Sequence, residues 1–314
     1  NDFVMKPMNC PHHTQIFASQ ARSYRDMPVR YTEPGTVYRD EQTGELSGIS
    51  RVRSITQDDG HVFCRPDQVE QEVTNIVNVI RDFYTALGMW GDESSYWVSL
   101  SVRDPQTPEK YLGVEERWEQ AENILEEIVQ KEGIPYKRVE GEAAFYGPKL
   151  DFQFYDAIGR EHQLATIQLD FVMPTRFELE YTNQDGEKET PVMIHRAIAG
   201  SLERFLSVII EHFAGAFPAW LSPVQVAILP ISDEHHLDYA EEVLKKLKDA
   251  GVRVELHSEG SLGKRIRTTK TQKIPFVIVL GDQEKESQTL TVEMRGDEKM
   301  KGVSVEELIK KIGE

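Results

Sequence analysis

Apolar residues return every three to four positions along DQVEQEVTNIVNVIRDFYTALG. Val69, Val73, Ile76, Ile80, Phe83 and Leu87 fall on one stripe, and Gly88 stands where a helix would end. EERWEQAENILEEIVQKEG repeats the pattern with Trp118, Ala121, Leu125 and Ile128. Both stretches predict amphipathic helices, and a third is expected through HRAIAGSLERFLSVIIEHFAG, residues 195–215. Between the second and third helices the chain reads as extended. FYGPKLDFQFYD and EHQLATIQLDFVM are two strand-like runs joined by AIGR, a Gly-containing turn, and predict an antiparallel pair. Strands that meet one another before helices return imply an α+β domain built on an antiparallel sheet.

The pattern changes near FPAWLSP, where two prolines interrupt the third helix. Domains are expected over residues 1–217 and 222–314. In the second, VQVAILPI, VRVELH, PFVIVLG and TLTVEMRG read as strands, with EHHLDYAEEVLKKLKDAG, a basic helix and SVEELIKKIG among them. That order predicts a small α/β domain with a mostly parallel sheet.

Composition narrows the class. The 314 residues, 39% of them hydrophobic, suffice for two cores. No apolar run approaches the length of a membrane span, and NDFVMKP lacks the blocks of a secretion signal, so a soluble protein is expected. The sequence does not begin with methionine, so a longer natural polypeptide is expected as well. Cys10 and Cys64 cannot form a disulfide framework, which suits a reducing cytoplasm. A net charge of −17 argues against coating nucleic acid through bulk electrostatics. It leaves local contacts open: Lys264–Lys273 holds five basic residues and no acidic one, either a solvated helix face or a contact surface.

Three stretches carry candidate chemistry. KPMNCPHH sets Cys10 beside two histidines, as a buried bystander or a metal ligand whose co-ligands lie far away. YRDEQTGELSGISRVRSITQDDGH, residues 38–61, reads as strand, loop and strand. Arg39 and Glu41 close the first strand, and the second carries Arg51 and Arg53 and ends in Gln57, Asp58, Asp59 and His61. Guanidinium forks at both ends suit a triphosphate, although a charged surface hairpin reads the same way. GSLERF places Gly200 and Ser201 one turn before Arg204 on an apolar helix. An anionic ligand or a structural salt bridge would serve that arginine equally.

PGTVYRDE with RVRSITQDDGHVFC resembles the second signature of class II aminoacyl-tRNA synthetases, and GSLERF resembles the third. KPMNCPHH, SITQDDGH, AFYGPKLDF, TIQLDF and PVMIHRAIAGSLERF, in order from Lys6 to Phe205, resemble the threonyl-tRNA synthetase family in particular. The second domain resembles the anticodon-binding domain shared by the histidine, glycine, threonine and proline enzymes. The resemblance implies ATP-dependent activation of L-threonine and its transfer to the 3′ end of tRNA(Thr), with Zn2+ held by Cys10, His61 and His195 and Mg2+ accompanying ATP. It implies that Arg39 and Arg204 grip phosphate, with Arg51 beside them, and that Glu41 contacts adenine. Asp59 and Gln57 would hold the amino acid, and Tyr146, Lys149, Gln163 and Gln168 would line the site.

Gln163 and Gln168 are five apart, so strict alternation puts them on opposite faces. If both line the site, a bulge should interrupt LATIQ. Lys264, Arg265, Arg267, Glu284 and Arg295 are candidates for tRNA contact. Family members commonly carry arginine where this chain has Glu293, and Arg295 stands nearby to cover the role. The family's first signature, which builds a homodimer interface, and its editing domain have no counterpart in this sequence.

A non-catalytic relative that only binds tRNA or regulates would keep the fold, but it would not need Arg39, Glu41, Arg204 and three metal donors together. An enzyme for proline would have no hydroxyl to offer the metal. A purely structural zinc site would want a fourth protein ligand, for which Cys64 is the spare.

Overall fold

The computed structural model describes residues 3–91, 94–156, 158–296 and 298–313. The chain divides into two compact units, Asn1–Val208 and Ile209–Glu314.

The first unit opens with α1 (Cys10–Ala18), whose Pro11 sits in the first turn, where a missing N–H costs nothing. The strands β1 (Val29–Tyr38) and β2 (Ser54–Cys64) follow, then α2 (Val69–Ala86), β3 (Tyr96–Val102), α3 (Glu115–Lys131) and β4 (Tyr136–Glu140). Next come β5 (Lys149–Tyr155), β6 (Glu161–Asp170), the short α4 (Met173–Arg176) and a small pair, β7 (Tyr181–Thr182) and β8 (Lys188–Glu189). The unit closes with β9 (Val192–Ala197) and the first part of α5 (Leu202–His212). Seven strands form one sheet in the order β1-β2-β9-β6-β5-β3-β4. Every pairing in it is antiparallel except β3 with β4.

The sheet has an apolar and a polar face. On β5, Leu150, Phe152 and Phe154 are fully buried and lie opposite Leu100, Val98 and Tyr96 of β3. Each such side chain contributes about 1.5–3 kcal/mol by leaving water. Helix α2 lies against β2, β6 and β9, and α3 against β3. The stripe on α2 is as expected at Val69, Val73, Ile76 and Ile80, but Tyr84 rather than Phe83 reaches the core. Position 84 is one helical turn beyond Ile80, and there the ring stacks on Phe154 at 3.9 Å while its hydroxyl donates to Ile198 O. Gly88, at φ +66°, ends this helix as expected, with its N–H on Thr85 O and that of Met89 on Tyr84 O.

Two expectations are corrected. The third helix starts at Leu202 and not at His195, because residues 192–197 form β9, inserted between β2 and β6. Arg51 and Arg53 lie in the loop before β2 and not in the strand. The antiparallel pair of β5 and β6 is present, and its expected turn includes Ala157, which lies outside the described residues.

The second unit contains β10 (Val226–Pro230), α6 (Asp233–Asp249), β11 (Val254–Leu256), α7 (Leu262–Thr271) and β12 (Phe276–Leu280). It continues with α8 (Asp282–Ser287), β13 (Leu290–Met294), β14 (Lys299–Val303) and α9 (Val305–Gly313). The sheet order is β11-β10-β12-β13-β14. The first three strands are parallel, and β13 and β14 extend them as an antiparallel pair, so the sheet is mixed. Sequence reasoning did not find β14: in KMKGV the apolar residues Met300 and Val303 are three apart, which breaks the alternation of a strand. Val226, Ile228, Ile278, Val292 and Leu308 build its core. Among the described residues, no helix is long and apolar enough to cross a membrane.

Candidate active site and metal centre

The polar face of the large sheet carries a lateral row formed by register. Tyr31 pairs with His61, His61 with His195, His195 with Gln168, Gln168 with Lys149, and Lys149 with Ser101. Residues directly opposite in antiparallel strands point to the same side, so the row runs from β1 to β3 on one face. This pairing brings together histidines far apart in the chain. Along β2, Gln57, Asp59 and His61 alternate onto the same face.

Helix α1 closes over the row and adds Cys10. Its Sγ lies 3.4 Å from His195 Nδ1, which is 3.0 Å from His61 Nε2. All three donor atoms lie within 4.8 Å of one another. Ligands about 2.0–2.3 Å from a tetrahedral Zn2+ stand about 3.3–3.6 Å apart, and the 3.4 and 3.0 Å separations to His195 Nδ1 lie in or near that range.

Hydrogen bonds behind the donors set which nitrogen faces the site. His195 Nε2 donates to Asp170 Oδ2 at 2.8 Å, which leaves Nδ1 forward. His61 Nδ1 is engaged by His13 Nδ1 at 2.7 Å, which leaves Nε2 forward. Burial would depress His195, but its bonds to Asp170 and Cys10 outweigh that and push it up to about 10. Burial and the neighbouring histidines hold His61 well below its ordinary value. His61 thus offers a lone pair, and a cation bound here would take the place of the extra proton on His195 Nδ1. Cys64 is no part of the group. Three residues beyond His61 it points to the opposite face of β2, and burial pushes its thiol up to about 12.

The donors open into a cleft of about 500 Å3 lined by Cys10, Arg39, Gln57, Asp59, Tyr146, Gln168 and His195. Burial pushes the Asp59 carboxyl above its usual value. Tyr146 donates to Gln168 Oε1 at 2.6 Å, which leaves the amide nitrogen of Gln168 for a ligand. Beyond the cleft, Arg204 is half-buried and donates to Ser50 O. Burial and the charges of Arg51 and Arg39 pull its guanidinium below its ordinary value, and Glu41 opposes them. Glu41 is bound by Arg51 at 2.7 Å. Arg51 also reaches Glu45 at 3.4 Å, so three guanidiniums share two nearby carboxylates and keep a positive excess that favours a polyanion.

Residues 1–213 match the family described as tRNA synthetase class II core domain (G, H, P, S and T), and residues 225–314 match the anticodon binding domain. The solved RNA binding domain of threonyl-tRNA synthetase from Cryptosporidium parvum Iowa II is 37% identical, with a TM-score of 0.90, and the match covers 98% of this chain and 76% of that one. The chain belongs to the threonyl-tRNA synthetase family. Threonine–tRNA ligase of Cytophaga hutchinsonii is 47% identical over 308 residues, covering 98% of this chain and 47% of the relative. That of Rubrobacter xylanophilus is 50% identical over 298 residues, covering 95% and 46%. The chain spans about half the length of the curated relatives it matches.

Other residues singled out by the synthetase resemblance are placed less directly. Lys149 and Gln163 share the polar face but are tied to Asp151. The expected bulge is present: Phe152 pairs with Ala165 and Gln153 with Gln163, so Leu164 has no partner on β5 and Gln163 falls on the face of Gln168. Gly200 and Ser201 precede α5 and are not within it. A Cβ on Gly200 would lie 2.4 Å from Leu164 O, so the small residue admits a strand and not a ligand. Ser201 Oγ accepts from Arg204 N at the helix start.

In the second unit, Lys264 and Arg267 are exposed on α7. Arg265, expected beside them, is 6% exposed and donates to Pro230 O and His257 O. The helical period turns it inward. Glu284 accepts from Gly281 N and Thr291 Oγ1, and Arg295 donates to Lys273 O and Phe217 O. Glu293 is paired with Lys270 at 3.2 Å.

Sequence reasoning passed over His13, Asp170 and Asp151. Asp170 was findable, since it lies two residues past Gln168 and shares its face. His13 follows no rule of spacing and is set by the way α1 crosses β2.

Proposed function

We propose that this chain is the threonine-activating core and anticodon-reading part of a longer, homodimeric, cytoplasmic threonine–tRNA ligase. What supports this best is the joining of the Cys10, His61 and His195 donors to Asp59 and Gln168 in one cleft beside Arg39, Arg51 and Arg204. Zn2+ held by the three donors would supply a Lewis-acidic position for the amine and hydroxyl of threonine, which valine cannot fill.

The chain's own residues do the rest. Asp59 accepts from the amino group, and the Gln57 side chain places the carboxylate toward the phosphate end. Arg39, Arg51 and Arg204 neutralise the triphosphate as that carboxylate displaces pyrophosphate, with Mg2+ accompanying ATP and Glu41 freed to receive adenine. Tyr146 and Gln168 present the carbonyl end of the product, and a ribose hydroxyl at the 3′ end of tRNA takes it. In the second unit, Lys264 and Arg267 offer exposed charge to the tRNA backbone, and single-stranded anticodon bases are read on the same domain.

The test is amino-acid-dependent exchange of pyrophosphate into ATP, with threonine, serine and valine, before and after zinc chelation. Exchange is expected with threonine, more weakly with serine, and not with valine, and chelation abolishes it. Exchange with valine at the rate of threonine, or insensitivity to chelation, would refute the selective metal site.

A further inference from the structure

Asp151 is the most heavily engaged carboxylate on the polar face. It is 3% exposed, on β5 between the buried side chains of Leu150 and Phe152. Oδ1 accepts from Gln163 Nε2 at 2.6 Å and from Thr166 Oγ1 at 2.7 Å. Oδ2 pairs with Lys149 Nζ and lies 3.4 Å from Ser101 Oγ. Both oxygens are saturated by donors from three strands, β3, β5 and β6. A buried carboxylate in a sheet with a full apolar face is a poor choice for stability alone, since apolar replacements of buried ion pairs are often neutral or better. Its partners are more telling. Lys149 and Gln163 are both expected in the site, and Thr166 lines the cleft. The unpaired Leu164 is what lets one oxygen hold Gln163 and Thr166 together, three positions apart on β6.

We propose that Asp151 is a positioning residue for threonine activation, holding Lys149, Gln163 and Thr166 in one fixed arrangement at the floor of the cleft. This rests on reading the cleft as the threonine-activating site. Asp151 does not itself touch substrate. It acts through Lys149 foremost, because that ammonium is the one full charge among its partners. Asp151→Asn keeps the shape and an acceptor for Thr166, but it turns an amide N–H toward Lys149, so donor faces donor and the lysine leaves.

The experiment measures threonine-dependent pyrophosphate exchange on the whole chain as wild type, Asp151→Asn, Lys149→Met and the double variant, each with a melting curve. The expected loss for Asp151→Asn is about 100-fold in kcat, the scale of an ångström's misplacement, with little change in KM for threonine. The double variant is expected to lose no more than Lys149→Met alone, because the two changes remove one interaction. Multiplying losses, or a kcat unchanged by Asp151→Asn, would overturn the proposal. So would a loss that only tracks the melting temperature. A silent wild type bears on the activity reading instead, which the same assay on a chain extended upstream then decides. The crystal structure of the Asp151→Asn variant then decides for Asp151: a displaced Lys149 with Gln163 and Thr166 kept on the amide oxygen supports it, and an unmoved Lys149 overturns it.

Discussion

Asp170 stands directly behind His195, its Oδ2 accepting from His195 Nε2 at 2.8 Å. Asp170 is fully buried and also accepts from Val172 N and Met173 N, so it cannot swing away. It therefore holds the ring with Nε2 toward the carboxylate and Nδ1 toward Cys10 and His61. Replacing such a partner typically costs 10–100-fold in metal affinity. Asp170→Asn is accordingly expected to weaken Zn2+ binding by about 10–100-fold. Competition with a chromophoric chelator measures this without reference to activity, and an unchanged affinity would rule out the donor set as the metal site.

The two cysteines are expected to differ in reactivity. Cys64 is fully buried, and its thiol is pushed up to about 12, so at pH 8 only about one molecule in ten thousand carries the reactive thiolate. Cys10 is partly exposed and lines the cleft. Iodoacetamide at pH 8 should therefore label Cys10 alone in the native chain, and Zn2+ should protect it. Peptide mass spectrometry reads both results, and labelling of Cys64 before Cys10 would contradict the structure.

Much of this site was legible because strands translate spacing into faces. Gln57, Asp59 and His61 alternate, and the bulge at Leu164 follows from asking how Gln163 and Gln168 could face one way. Helices α2 and α3 were equally plain from their apolar stripes. His195 was harder to place, since HRAIAG is as good a helix as a strand by period, and only its insertion between β2 and β6 decides. The convergence of Cys10, His61 and His195 could not be read from spacing at all. It depends on strand order and on α1 crossing the sheet, both tertiary facts, and here only the family resemblance anticipated it. Arg265 shows the converse: within a basic run, charge alone does not say which residue the helix turns inward.

Gly200 is expected to tolerate no side chain. Its φ is +69°, and a Cβ there would lie 2.4 Å from Leu164 O at the bulge. Its carbonyl also accepts from Asp58 N, so the turn cannot simply move aside. Gly200→Ala should destabilise the chain by about 1–3 kcal/mol from backbone strain, with the clash adding to it. A urea midpoint unchanged from wild type would show that the turn relaxes freely.

Asp156 provides the clearest pH dependence. Burial would raise its carboxyl, but the N–H groups of Arg160 and Ile158, the His162 ring and the Arg160 guanidinium outweigh burial and hold it far below the usual carboxylate range. A depressed folded value means the unfolded chain takes up the proton first as pH falls. The contribution of Asp156 is thus complete above about pH 4, the unfolded carboxylate value, and drains away as pH drops below it. At pH 7, Asp156→Asn should cost about 1–3 kcal/mol, because several donors lose a charged acceptor. Other carboxylates titrate in the same window, so the difference between the two proteins is the quantity to follow. Urea unfolding from pH 7 to pH 3 should show the gap between wild type and variant narrowing below about pH 4. A gap that stays constant to pH 3, or widens, would mean that the carboxylate is not held charged by this turn.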